Sequence, residues 1–295
     1  MEVKLGAWIS ATRPKTLVAS FIPVMIGASL AFSVHHEINH FLLFLCFSFS
    51  LMVQIGTNLA NDYFDFIRGS DRNRVLAPTR AVASGLLRPN HVRNAAYLFL
   101  GISFAVGIVI YNISNGPHSL FWIGLACISC AVVYTGGPFP LAYNGLGDLF
   151  VILFYGFIAV EATHFVLLVE QKALYTPDFI AALSIGCMTN ILLVVNNYRD
   201  YEEDKKNKKN TLIVIFGRKF GFFLFIFCNL IALLICPFLE PRLWLLYICL
   251  PLSLFGAIKI QKAKTKKEFD QLLSFSAISL LFSGVLSTVG ILLYY

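Results

Sequence analysis

The chain has 295 residues, 58% of them hydrophobic and only 13% charged, with a net charge of +7. Charge at about half the level of globular domains, with a mean hydropathy of +0.74, excludes an ordinary soluble fold and puts the membrane class first. The basic excess does not point to nucleic acid, because Lys and Arg flank apolar runs and have no aromatic stacking platform in a soluble domain.

Nine apolar segments approach the roughly 20 residues that a helix needs to cross the hydrocarbon. They lie near 17–35, 40–61, 94–113, 118–137, 147–169, 178–198, 220–237, 242–260 and 271–294. Met1–Pro14 carries scattered charges rather than a basic tip, an apolar core and a cleavage site, so no secretory signal is expected. With the N-terminus inside, the cytoplasmic segments are 1–16, 62–93, 138–146, 199–219 and 261–270. These hold 21 of the Lys and Arg residues, leaving Lys172 and Arg242 outside. The positive-inside rule supports that orientation and an odd number of spans. The expected fold is all-α, one polytopic domain over 1–295, set in a bacterial inner (plasma) membrane.

Taken in chain order, RPKT at Arg13–Thr16 precedes the first span, and the second span ends in GTNLANDYFDFIRGSDRNR. Asn61, Asp62, Asp65 and Asp71 emerge there, followed by PTRAVASG with Arg80. YTGGPFPLAYNGLGD joins the fourth and fifth spans, and the fifth carries Glu161 and His164, three apart on one face. Ionisable residues inside a membrane are functional candidates by default, although Glu161 pairing with His164 for structural reasons is the competing reading. The sixth span ends in NNYRDYEEDKKNKKNT, with Asn196, Arg199, Asp200 and Asp204. The seven cysteines sit in apolar stretches and read as small packing residues, not disulfides or metal ligands.

Residues four apart share a helix face, so Asn61 lies in line with Asp65, and Asn196 with Asp200 and Asp204. Asp62, Glu202 and Glu203 fall off these lines and are read as supporting residues. Clustered carboxylates repel unless a cation lies between them, and hard oxygen ligands select magnesium or calcium. Magnesium is commonly bound by a few carboxylates together with substrate phosphates. A diphosphate is thus the natural bridging ligand, with Arg68, Arg72, Arg74, Arg80, Lys205 and Arg218 as counter-charges. Arg199 and Arg80 are read as reaching the diphosphate or an acceptor carboxylate, against a bland reading as snorkelling interfacial arginines. Lys15 is similar.

NDYFDF with the following GSD, then PTRAVASG, YTGGPFPLAYNGLGD and NNYRD with Asp204 resemble the UbiA superfamily of membrane prenyltransferases, over nearly the whole chain. Within it they look like the branch that prenylates 1,4-dihydroxy-2-naphthoate. The resemblance implies nine helices around a central cavity and two Mg2+ ions. It implies metal and diphosphate contacts at Asn61, Asp65, Asp71, Asn196, Asp200 and Asp204. It further implies transfer from polyprenyl diphosphate to the aromatic acceptor with loss of carbon dioxide, giving demethylmenaquinone. Asp65, Asp200, Arg199 and Arg80 are the expected catalytic residues. Asn61, Asn196, Lys15, Lys205, Arg68 and Tyr134 are expected to contact substrate, and Tyr63, Phe64 and Tyr134 to shelter the allylic cation. Two departures stand out. Gly69 occupies the place where the aromatic-acid branch of the superfamily often carries the last Asp of the first motif, which favours the naphthoate branch, and Lys208 stands where relatives commonly have Gly.

A secondary transporter predicts carboxylates or broken helices near the midplane, whereas these clusters lie at span ends beside Lys and Arg. A membrane phosphotransferase needs an Asp-Gly and Ala-Arg arrangement that is absent from the cluster. Other acceptors, 4-hydroxybenzoate, 1,4-dihydroxy-6-naphthoate, a chlorophyll precursor or haem, remain open on sequence alone. Prenyl chain length and oligomeric state are not legible.

Overall fold

The computed structural model describes residues 5–71, 75–78 and 80–294. All regular structure among them is helical: α1 (Leu5–Thr12), α2 (Pro14–His35), α3 (His40–Ile67), α4 (Pro89–Ser114), α5 (His118–Val133), α6 (Gly147–Glu170), α7 (Phe179–Arg199), α8 (Tyr201–Lys206), α9 (Leu212–Phe216), α10 (Arg218–Leu239), α11 (Pro241–Lys262) and α12 (Lys266–Leu293). Eight of these are long and apolar enough to cross a membrane, which makes the chain an integral membrane protein. The remaining apolar helix, α5, has 16 residues, about 24 Å at 1.5 Å per residue against a hydrocarbon thickness near 30 Å. It was expected to run to residue 137. It stops because Gly136-Gly137-Pro138 follows, with Gly137 in the left-handed region at φ 75°.

Two helices carry local wide turns. α6 is π-helical over Ile152–Ile158, and α10 over Ile231–Ile235. In α10 the cause is legible, because Pro237 has no N–H to return to the preceding turn and the wider winding makes room for its ring. In α6 the wide turn coincides with a close backbone approach to α7. An added Cβ on Gly156 would stand 2.6 Å from the Ala182 carbonyl oxygen, and one on Gly186 2.9 Å from that of Ile152. Within lipid, where burying apolar surface gives helices no reason to associate, such backbone-close packing is a main source of cohesion.

The most enclosed spans are α7 and α2, with 72% and 67% of their apolar windows buried, whereas α4 has only 22% and faces outward. α2 packs on α12, α6 and α3; α7 packs on α6, α10 and α12; α3 pairs with α4. The main core fills the space between α2, α7, α10, α11 and α12, with Ile22, Ile26, Ile185, Leu233 and Phe269 fully enclosed. The C-terminal ends of α3 and α7 meet at one end of this bundle. There Asn207 Nδ2 donates to the Ser70 carbonyl at 2.9 Å, and the Val75 N–H donates to Glu203 Oε1.

Candidate active site

Both acidic segments end in the same backbone device. At the end of α3, Gly69 is left-handed at φ 78°, the Ser70 N–H bonds to the Asp65 carbonyl at 2.9 Å and the Gly69 N–H to that of Phe66 at 2.9 Å. At the end of α8, Lys208 is left-handed at φ 57°, the Lys209 N–H bonds to the Asp204 carbonyl at 2.9 Å and the Lys208 N–H to that of Lys205 at 3.4 Å. This pair of bonds closes a helix only around a left-handed residue, which favours glycine. Lys208 therefore stands in a conformation suited to the glycine expected there. Gly69 has a matching reason: the helix turns back at that position, and the carboxylate comes two residues later, at Asp71.

The expected unbroken line from Asn196 through Asp200 to Asp204 needs correction. α7 stops at Arg199, and Asp200 is the joint to α8, with φ −86° and ψ 4°. The Asp200 N–H still bonds to the Asn196 carbonyl at 3.0 Å and the Asp204 N–H to that of Asp200 at 2.8 Å, so the four-residue stacking survives the bend.

Asp65, Asp71, Asp200 and Asp204 are each no more than 6% exposed, which is tolerable for carboxylates only with paired charge. Arg80 bridges the first two, Nη2 lying 2.7 Å from Asp65 Oδ2 and Nε 3.2 Å from Asp71 Oδ1. Arg199 holds its neighbour Asp200 two-pronged, at 2.6 and 2.8 Å. Lys209 lies 3.5 Å from Asp204. Tyr143 donates to Asp65 Oδ1 at 2.7 Å and lies 2.7 Å from the Ser70 hydroxyl, and Thr135 donates to Asn61 Oδ1 at 2.7 Å. Burial alone works to discharge Arg80, but the carboxylates of Asp65, Asp71, Asp62 and Asp200 outweigh it and push its pKa above the ordinary value. Burial, then the Asp65 charge, pushes the Tyr143 phenol up, so it stays a hydrogen-bond donor.

These groups border a polar cavity of 280 Å³, lined by Asn61, Asp65, Arg80, Asn196, Arg199, Asp200, Lys15 and Tyr134 among the expected residues. A second, largely apolar cavity of 290 Å³ lies against it, and both share Arg13, Thr16, Asn61, Tyr134, Leu193 and Asn196 as a common neck. Asp71 and Asp204 sit behind the polar cavity rather than on its wall. Lys15 reaches back to Asp270 at 2.5 Å. Arg68 donates to the carbonyls of Thr135 and Gly137, Lys205 is exposed, and Arg218 lies 4.7 Å over the Tyr198 ring, so none of these three lines the cavity. Arg72 and Arg74 lie outside the described residues. Among the aromatics expected to shelter a cation, Tyr134 lines both cavities, whereas Tyr63 and Phe64 line neither.

Asp62, read as off the working face, lines the polar cavity and accepts from the Val82 N–H. The reason is that residues 80–88 fold over the end of α3 and give it a second inward side. Arg13, Lys209, Thr135, Tyr143 and Asp148 were not singled out, although four of the five stand inside the RPKT and YTGGPFPLAYNGLGD segments. Phe49, Phe150, Phe154 and Tyr155 form the aromatic wall of the apolar cavity, and nothing in the sequence separates them from lipid-facing rings. Glu161 is held by the Tyr175 hydroxyl at 2.7 Å and the Asp178 N–H at 3.0 Å, with His164 Nδ1 at 3.7 Å, and neither Glu161 nor His164 lines a cavity.

Among the described residues no three Asp, Glu, His or Cys side chains converge on one point. The wall instead offers carboxylate and amide oxygens with arginines interleaved. That donor set suits a hard cation completed by phosphate oxygens rather than a closed protein cage.

Residues 20–291 match the UbiA prenyltransferase family. The 1,4-dihydroxy-2-naphthoate octaprenyltransferase of Bacillus subtilis is 30% identical, over 96% of this chain and 91% of its own. The enzyme of the same name from Mycobacterium leprae is 36% identical over 71% and 69%. A UbiA homolog from Archaeoglobus fulgidus bound to GPP and Mg2+ shares the fold, with a TM-score of 0.61 at 15% identity, over 95% of this chain and 99% of that one. The chain is therefore a member of the UbiA prenyltransferase family.

Proposed function

We propose that the protein transfers a polyprenyl group from polyprenyl diphosphate to 1,4-dihydroxy-2-naphthoate with loss of carbon dioxide, in a Mg2+-dependent reaction. The observation that carries this reading is the continuity of the two cavities. One is lined by carboxylates and arginines and suits a diphosphate head; the other is apolar and aromatic and suits an isoprenoid tail. The naphthoate acceptor is supported by the relatives from Bacillus subtilis and Mycobacterium leprae, both 1,4-dihydroxy-2-naphthoate octaprenyltransferases.

Asp65 and Asp200, with Asn61, Asn196, Asp71 and Asp204, would hold Mg2+, which would supply Lewis-acid neutralisation of a departing diphosphate. Arg80 and Arg199, now engaged by carboxylates, supply cationic donors to phosphate oxygens. Tyr143 and Thr135 fix Asp65 and Asn61 through the hydrogen bonds described above. Tyr134 presents its ring at the neck, where the allylic carbon meets the acceptor, and Phe150, Phe154 and Tyr155 keep water from the cation. Ring attack at the carbon bearing the carboxylate, followed by release of carbon dioxide, gives the reduced form of demethylmenaquinone. The charge bias of the loops supports an N-terminus and a polar cavity on the cytoplasmic side.

The test supplies purified protein with labelled polyprenyl diphosphate, Mg2+ and each candidate acceptor in turn. Product is expected with 1,4-dihydroxy-2-naphthoate and not after chelation. Turnover of 4-hydroxybenzoate or 1,4-dihydroxy-6-naphthoate in its place overturns the acceptor, and turnover of none overturns the activity.

A further inference from the structure

Asp148 opens α6 and is only 3% exposed, yet it lines the polar cavity. Its Oδ1 accepts from Asn190 Nδ2 at 3.2 Å, and the same amide nitrogen, on a residue 0% exposed, also donates to Cys228 Sγ at 3.7 Å. Asp148 Oδ2 is buried and has no hydrogen-bond partner among the described residues. An enclosed carboxylate oxygen without a donor loses its hydration and gains nothing in exchange. A site of this kind calls for a ligand that brings a donor.

Asp148 shares the polar cavity with the diphosphate-binding groups but is held from its deeper side. Its partner Asn190, on α7, lies ten residues before Asp200, on the order of 15 Å deeper along the helix, and among the described residues no Lys or Arg pairs with Asp148. Asn190 stands behind the cavity wall, one helical step from Leu193, which belongs to the neck, while Asn197 lines the polar cavity one turn further on. Tyr134 is close as well: a Cβ added to the adjoining Gly147 would stand 3.2 Å from its hydroxyl. A carboxylate beside a neutral amide, with no paired Lys or Arg among the described residues, suits an uncharged O–H donor better than an anion.

We propose that Asp148, held by Asn190, recognises the acceptor by receiving on Oδ2 the ring hydroxyl next to the carbon that is prenylated. This rests on the aromatic acceptor of the proposed function. In the reaction, a ring electron pair forms the C–C bond to the prenyl carbon, and the allylic C–O pair leaves on the diphosphate oxygen. The positive charge left on the ring spreads onto that hydroxyl oxygen, where the Asp148 carboxylate stabilises it. The pair of the ring–carboxylate bond then returns to the ring as carbon dioxide departs, and the proton stays on oxygen.

The test is steady-state kinetics of Asp148→Asn and Asp148→Glu with both substrates varied. Asp148→Asn should raise the acceptor KM or lower kcat by about tenfold or more while the KM for polyprenyl diphosphate stays within about twofold. Asp148→Glu should recover part of the loss. An acceptor whose neighbouring hydroxyl is a methyl ether should cost the wild type as much as the substitution does, and cost Asp148→Asn little more. Unchanged acceptor kinetics, or a defect confined to the prenyl diphosphate KM, overturns the proposal. Elution as a single species and thermal stabilisation by polyprenyl diphosphate report folding. If Asp148→Asn does not fold, Asn190→Ala takes its place with the same expectations. Absence of wild-type turnover with 1,4-dihydroxy-2-naphthoate overturns the proposed acceptor instead. The comparison then moves to whichever hydroxylated aromatic the wild type does accept, and both ideas fall if there is none.

Discussion

Arg80 faces four carboxylates at once, and its removal leaves Asp65 and Asp71 buried together without the guanidinium between them. Arg80→Ala is expected to destabilise the protein by about 3 kcal/mol, measured by thermal unfolding in detergent. Added Mg2+ should raise the melting temperature of this variant more than that of the wild type, because the cation replaces the missing charge. Asp65→Asn and Asp200→Asn should each lower prenyl transfer by about 100-fold or more while the protein still elutes as a single species. Lys208→Gly is expected to do the opposite of a typical substitution: relief of the left-handed lysine stabilises by up to about 1 kcal/mol, with prenyl transfer unchanged. The residue spacing made most of these groups legible, since a four-residue step holds on any helix. Asp62 escaped that reading because the side it faces is built by a loop remote in sequence.

At the scale of the helix, each apolar segment was placed with ends within about six residues, because twenty apolar residues leave little freedom in placing a membrane helix. The break at Asp200 was hidden, since the joint keeps its four-residue hydrogen bonds and so keeps the sequence periodicity of an unbroken helix. The π turn of α6 was equally hidden, being an adjustment of one helix to another. Gly156 and Gly186 are where that adjustment can be probed. Either Gly156→Leu or Gly186→Leu drives a side chain into the opposite backbone, with an expected loss of about 3 kcal/mol or more. The measure is the yield of folded protein and its melting temperature, and Gly124→Ala on the cavity wall serves as the benign comparison, because its added Cβ meets nothing within 4 Å.

For the molecule as a whole, the apolar cavity should act as a ruler for the tail. Gly124 lines it and has open space before it, so Gly124→Phe is expected to shift the preference towards shorter prenyl diphosphates by several-fold in kcat/KM, read from competition between chain lengths. The membrane orientation is open to a labelling experiment in a cysteine-free background. A cysteine at Lys172 should react with an impermeant thiol reagent from outside intact cells, and one at Lys206 only after lysis. By itself the sequence determined the helical membrane class, the approximate place of each apolar helix, and the four-residue spacing of the acid and amide groups, because apolar length and residue spacing are local properties of the chain. Tertiary structure alone decided which side chains meet at the cavities. In a helix apolar all round, lipid and protein interior ask for the same residues. Phe154 and Tyr155 therefore look no different in sequence from the exposed Phe223 and Phe227, and only the packing of α6 turns the former pair inward.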